Sequence, residues 1–187
     1  MMLQLNEYLF FAMGIYWIAS SRKVNKTRMQ ESQLSRWLHL APTGLAFFLL
    51  FNDVFENTFL AHVLLTPSLT TGILGNLLTV LSLAFAIWAR LHLGRNWSAV
   101  VTLKEGHQLI RTGPYSFVRH PIYTGLIFGI FGTVIIQGKV FGILVLFMIV
   151  AVYYRKIRLE ETVLTQAFGD EYRRYQKEVK ALIPYVL

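Results

Sequence analysis

The sequence predicts an all-α, polytopic membrane protein with about five transmembrane helices, and three observations predict it. Charged residues make up 15% of the 187-residue chain, where soluble domains carry about a quarter. Five apolar stretches approach the roughly 20 helical residues that cross a hydrocarbon core about 30 Å thick. Seventeen of the eighteen Lys and Arg side chains fall after the first, third and fifth of those stretches, an asymmetry that orients membrane helices.

The first stretch is 3–20, LQLNEYLFFAMGIYWIAS; it has neither a basic leader nor a small-residue cleavage site, so it reads as a span. The second is 36–52, which holds Pro42, and the third is 70–89. The fourth, 121–136, is short, and the fifth is 139–154. Between the second and third, residues 52–69 carry Asp53 and Glu56 and predict a short interfacial helix. After the fifth, apolar residues from Ile157 to Phe168 continue as a helix that breaks near Gly169, and a second helical piece follows. The chain reads as a single membrane domain, 1–187, without repeats.

The basic residues follow the first, third and fifth stretches, and only Lys139 lies on the other side. The positive-inside rule therefore puts the N-terminus outside and the C-terminus in the cytoplasm. The formal charge of +8 is accounted for by such loops facing anionic headgroups, with no need for nucleic acid. Absence of cysteine excludes disulfides, thiolate nucleophiles and thiolate metal sites. The five His residues show no ligand spacing, so no metal is expected. No Walker loop, dinucleotide fingerprint or nucleophile elbow is present.

Polar chemistry concentrates in RTGPYSFVRHPIYTGLIFG, residues 111–129. Gly113-Pro114 is a turn signal, and Pro121 suits the first turn of a helix, where its missing N–H costs nothing. His120 then falls at the N-cap with Arg119 before it, and the helix turns its free N–H groups toward the cytoplasm, a seat for a carboxylate or phosphate. Tyr115 and Tyr123 bring aromatic faces to the same boundary, though Tyr and Arg there also serve as plain headgroup anchors. Gly125, Gly129 and Gly132 fit close helix packing. Glu160 and Glu161, past the fifth span, differ by about 100° on a helix, so one can face a ligand while the other faces Arg or Lys; a solvated face with weak local ion pairs is the alternative. Arg90, ending the third stretch, is expected to snorkel to the interface.

HQLIRTGPYSFVRHPIYTG (107–125), followed by RLEETVLTQAFGDEYRRYQKEV (158–179), resembles the isoprenylcysteine carboxyl methyltransferase family, which belongs with the phospholipid methyltransferases. The pattern HxLxxxGxYxxxRHPxYxG, paired glutamates and FGxEYxxY cover roughly the C-terminal half, and the first two helices carry no matching motif. The resemblance implies an integral-membrane enzyme using S-adenosyl-L-methionine, with its cofactor half at roughly 90–187. It implies cofactor contacts at His107, Gln108, Leu109, Ile110, Tyr115, His120, Pro121, Ile122, Tyr123 and Glu160. It implies catalytic roles for Arg119, Glu160 and Glu161, and substrate contacts at Lys156 and Arg158. Where eukaryotic members carry Arg, this chain has Lys156, which keeps the charge without the bidentate fork.

A sulfonium methyl group is already activated, and orientation alone can lower such a barrier by about 7–11 kcal/mol at best. A carboxylate acceptor, with a reference pKa of about 3.5, is ionised at neutral pH and requires no general base. The acceptor expected is lipophilic, the carboxylate of an isoprenylated cysteine or a similar lipid. Two rivals remain open: a membrane reductase of the sterol-reductase type binding a nicotinamide dinucleotide, and a non-enzymatic membrane module.

Overall fold

The structure, a computed structural model, describes residues 2–21, 27–98, 100–104, 106 and 108–186. Six α-helices run in chain order: α1 Met2–Ser20, α2 Gln33–Phe51, α3 Leu69–Leu93, α4 Pro121–Gln137, α5 Val140–Phe168 and α6 Asp170–Glu178. Two short strands, β1 Thr27–Gln30 and β2 Thr102–Lys104, pair antiparallel. The five apolar stretches thus correspond to α1–α5. Three described helices, α2, α3 with the turn that follows it, and α5, are long and apolar enough to cross a membrane, and α4 is a shorter apolar helix. Large apolar side chains of α1–α3 such as Phe11, Ile18, Trp37, Leu77 and Leu81 are exposed, as expected of surfaces that meet lipid rather than water.

The termini of these helices are written in their flanking residues. Ser32 caps α2 by accepting from Ser35 N–H at 3.2 Å. Ser68 and Thr71 form a reciprocal capping box at the start of α3. Gly138 ends α4 in the left-handed conformation, φ 64°, which costs glycine little. Gly169, φ 55°, breaks α5 from α6, where the sequence predicts the break. Residues 52–69 differ from expectation: before α3 begins at Leu69, their helical structure is one 3₁₀ turn, Phe59–Ala61. Backbone bonds hold this segment instead, with Leu64 N–H and Leu65 N–H both donating to Gly138 C=O, and the Lys139 ammonium adds an ion pair to the Glu56 carboxylate.

Glycines set how closely α3 and α4 approach. A Cβ on Gly75 would lie 2.5 Å from the Gly132 carbonyl, and one on Gly132 would lie 2.5 Å from that of Gly75. A Cβ on Gly125 would run into the Ser82 carbonyl. Asn6 of α1 ties these two helices, its amide donating to Thr79 Oγ1 at 2.9 Å and Thr133 Oγ1 at 3.0 Å. Such bonds act as polar glue where no hydrophobic force separates helix from lipid. Arg90 does not reach outward to the headgroups. It is buried, donates to Ser20 C=O and Gly94 C=O, and lies over the Trp97 ring at 4.4 Å. The guanidinium finds two carbonyl acceptors at the ends of α1 and α3, so it holds those ends together.

The β1–β2 pair joins the α1–α2 and α3–α4 connections at one end of the bundle, while the Val63–Lys139 bridge joins the other two connections at the opposite end. The basic-rich connections therefore share one end. Helix α5, 29 residues long, runs to roughly 43 Å at about 1.5 Å per residue. It exceeds the hydrocarbon core of about 30 Å by roughly two turns, and its portion from Arg155 onward lies toward the basic end.

Candidate active site at the basic end of the bundle

One chamber of about 320 Å³ opens at the basic end, with walls from all five long helices and the α3–α4 connection. Its volume lies at the small end of the ligand-pocket range of about 300–1,000 Å³. Tyr115, Arg119, His120, Ile122, Tyr123, Lys156 and Glu160 stand in its wall. The two motif segments, some forty residues apart in sequence, thus converge on one cavity.

The convergence has a specific geometry. His120, at the N-cap of α4, lies between both glutamates: Nδ1 is 3.5 Å from Glu160 Oε2 and Nε2 is 3.3 Å from Glu161 Oε1. Tyr123 O–H donates to Glu160 Oε1, and the rings of His120, Tyr123 and Tyr153 stack with centroids 5.8 and 5.0 Å apart. The Lys156 ammonium lies 5.4 Å from the Tyr123 centroid. Glu160 and Glu161 point to different sides of α5, as a 100° step requires. Glu160 faces the chamber. Glu161 accepts from Arg119 Nε at 2.9 Å and its terminal nitrogen at 2.6 Å, and lines a separate shallow depression with Arg158 and Gln176.

Electrostatics keep this cluster charged. Burial alone would depress His120, but bonds to Glu160 and Glu161 outweigh it and raise its pKa above the ordinary value. Burial would raise Glu161, but the His120 and Arg119 bonds bring it down to about 2. Glu160 is lowered on the same balance, through His120, Lys156 and Tyr123. An imidazolium flanked by two carboxylates is a consistent state in which each charge supports the other.

The α6 region closes over this cluster. Arg119 donates to the carbonyls of Gln176 and Val179, while its backbone N–H meets Lys180 C=O at 2.8 Å and that of His120 meets Ala181 C=O at 3.0 Å. The start of α4 is therefore partly covered by the tail's carbonyls. Tyr175 O–H donates to Tyr115 C=O at 2.5 Å, and burial pushes this phenol up to about 12. His92 stacks on Tyr115 from the opposite side and bonds Thr112 at 2.8 Å.

Other sequence-predicted residues lie elsewhere. Gln108 is exposed, Leu109 and Ile110 are half-buried, and none of the three is in the chamber wall. Pro121 is buried where it starts α4. Arg158 is exposed on the side of α5 away from the chamber. His107 lies outside the described residues. Sequence reasoning missed the wall that α1 and α2 supply, Phe10, Met13 and Trp17 of α1 with His39, Thr43 and Phe47 of α2, together with Trp97. Only Trp97, a large aromatic in a polar connection, carried a signal, since the helix residues look like any lipid-facing or core position.

Comparison with known proteins agrees with this geometry. A protein-S-isoprenylcysteine O-methyltransferase of Schizosaccharomyces pombe is 32% identical over 101 residues, 52% of this chain and 43% of that protein. Methanethiol S-methyltransferase 1 of Bradyrhizobium diazoefficiens is 40% identical over 72 residues, 38% of this chain and 24% of the other. The chain spans about half the length of the curated isoprenylcysteine relatives it matches. A solved eukaryotic intramembrane Ras methyltransferase, an isoprenylcysteine carboxyl methyltransferase, shares the fold with TM-score 0.58 and 22% identity, over 83% of this chain and 55% of that one. The phospholipid methyltransferase family model matches residues 70–171, more than half of the chain and the stretch that brings both motif segments to the chamber, so the chain belongs to the phospholipid methyltransferase family.

Proposed function

We propose that the chamber is the active site of an S-adenosyl-L-methionine-dependent methyltransferase. It acts on a lipophilic acceptor, the carboxylate of an isoprenylated cysteine or a similar lipid-like acid, at the cytoplasmic face of the membrane. The observation that carries this reading is the meeting of Glu160, His120, Tyr123 and Tyr115 on a cavity to which α1 and α2 add the apolar side chains Phe10, Met13, Trp17, Leu40 and Phe47. The N-terminus is then outside, and residues 90–187 form the cofactor-binding half.

The residues suit the cofactor. Bound S-adenosyl-L-methionine supplies a methyl group activated by its sulfonium. A carboxylate has about four lone-pair sites, and Glu160 uses part of them on Tyr123 and His120, so it retains capacity for an ammonium or ribose hydroxyl. The stacked Tyr123 and Tyr153 rings and Tyr115 offer the negative faces that attract cations. His120 holds Glu160 ionised, Arg119 and Glu161 fix His120, and the tail excludes water from them. Lys156 neutralises an incoming carboxylate, and an acceptor already ionised has no proton to lose. The chain's contribution is placement in a dry site.

Calorimetric titration of detergent-solubilised protein with S-adenosylhomocysteine and with NADPH tests this reading. Binding of the former alone is expected, together with transfer of radiolabelled methyl to N-acetyl-S-farnesylcysteine. Binding of NADPH alone would move the assignment to a reductase, and binding of neither would refute it.

A further inference from the structure

His39 lies in the chamber wall on α2, outside residues 70–171 matched by the family model. It is 2% exposed, and neither ring nitrogen has a hydrogen-bond partner among the described residues. A buried polar group in that state is costly, so the arrangement calls for a ligand. Nε2 is 3.3 Å from Glu31 Oε1, too poorly aligned for a hydrogen bond. Glu31 is itself well fixed: Oε1 accepts from Val101 N–H at 2.9 Å and Oε2 from Ser35 Oγ–H at 2.7 Å. Ser35 Oγ in turn accepts from Arg155 at 3.1 Å.

The same chain offers a completed version of this arrangement. His120 lies between two carboxylates, one near each ring nitrogen. His39 has a single carboxylate beside it and shares a chamber with Lys156. The charged groups acting on it are Lys156, Glu31, Arg155 and Glu160. The walls beyond, Phe10, Leu40 and Phe47, are apolar, which suits a hydrocarbon chain. An ammonium head would be repelled by Lys156, whereas a carboxylate is attracted by it and can accept from the imidazole.

We propose that His39, with the fixed Glu31 carboxylate beside its ring, is a specificity-determining residue that hydrogen-bonds the carboxylate of a lipophilic acceptor alongside Lys156. The assignment rests on the methyltransferase reading for the identity of the acceptor. Its geometry is independent of the cofactor.

The test is equilibrium binding of N-acetyl-S-farnesylcysteine and its methyl ester, two ligands with one tail and different heads, to the full chain in detergent without cofactor. The wild type is expected to prefer the acid by tenfold or more. His39→Leu should reduce that preference to within about twofold while ester binding persists, and His39→Gln, which keeps a donor, should retain part of it. Glu31→Gln, which keeps the bonds from Val101 and Ser35 possible, should lower the preference severalfold and serves if His39→Leu fails to fold. An unchanged preference in the folded variants, or no preference in the wild type, overturns the proposal. S-adenosylhomocysteine binding is read separately: its absence refutes the methyltransferase reading, while a His39-dependent acid preference would still stand.

Discussion

Glu161→Gln isolates how much the buried cluster contributes to the fold. Glu161 and Arg119 form an ion pair at 2.6 Å with both side chains about 10% exposed. Removing one partner of such a buried pair costs about 3–5 kcal/mol. The carboxyl's pKa gives a second route to the magnitude. It falls from the ordinary 4.5 to about 2 in the folded state, a difference worth about 3 kcal/mol at roughly 1.4 kcal/mol per unit. For a domain of this size, that corresponds to a Tm lowered by about 6–12 °C.

The folded carboxyl titrates below the unfolded one, so its contribution is complete above about pH 4.5 and is lost as pH falls through about 2. The gap between wild type and Glu161→Gln should therefore close by about 2 kcal/mol between pH 7 and pH 3. Thermal unfolding followed by tryptophan fluorescence in one detergent, at both pH values, measures it. A Tm difference under about 2 °C at pH 7, or an equal difference at pH 3, would refute the view that Glu161 is the ionised anchor of the cluster.

Two further outcomes follow from other contacts. Tyr123→Phe removes the O–H bond to the Glu160 carboxylate, and a bond to a charged group is worth about 1.5–3 kcal/mol; S-adenosylhomocysteine affinity should fall about 10- to 100-fold by calorimetry, and an unchanged Kd would detach Tyr123 from the cofactor site. Gly125→Leu drives a side chain into the Ser82 carbonyl and Ala86; overpacking costs about 1–3 kcal/mol or more, so a Tm equal to wild type would show that α3 and α4 can separate freely.

The helices were legible because lipid imposes a length and an apolar composition on each span, and α1–α5 fall close to the five apolar stretches. Gly169 announced the α5–α6 break, because a helix end that needs a positive φ favours glycine. The interfacial helix predicted at 52–69 did not form, since that segment satisfies its backbone by pairing with Gly138 and Val140, partners distant in sequence. The fate of Arg90 was hidden in part for the same reason: one acceptor, Gly94, is four residues away, but the other, Ser20, lies seventy residues away and no local pattern encodes it. Proximity of Glu160 to His120 could be anticipated only through motif resemblance. The contributions of α1 and α2 to the chamber could not, because a side chain facing a cavity and one facing acyl chains are chosen by the same hydrophobic rule.

The tail's bonds to Arg119 have a consequence for biogenesis. The carbonyl of Val179 that receives this guanidinium is encoded 60 residues later. At ordinary translation speeds of about 5–20 residues per second, the nascent polypeptide waits several seconds with that charge unclasped at the membrane boundary. During that interval the hydrophobic rods can already be inserted, yet the carbonyls that cover the start of α4 do not exist. The buried cluster is therefore completed late, once the ribosome has delivered the segment that follows α6.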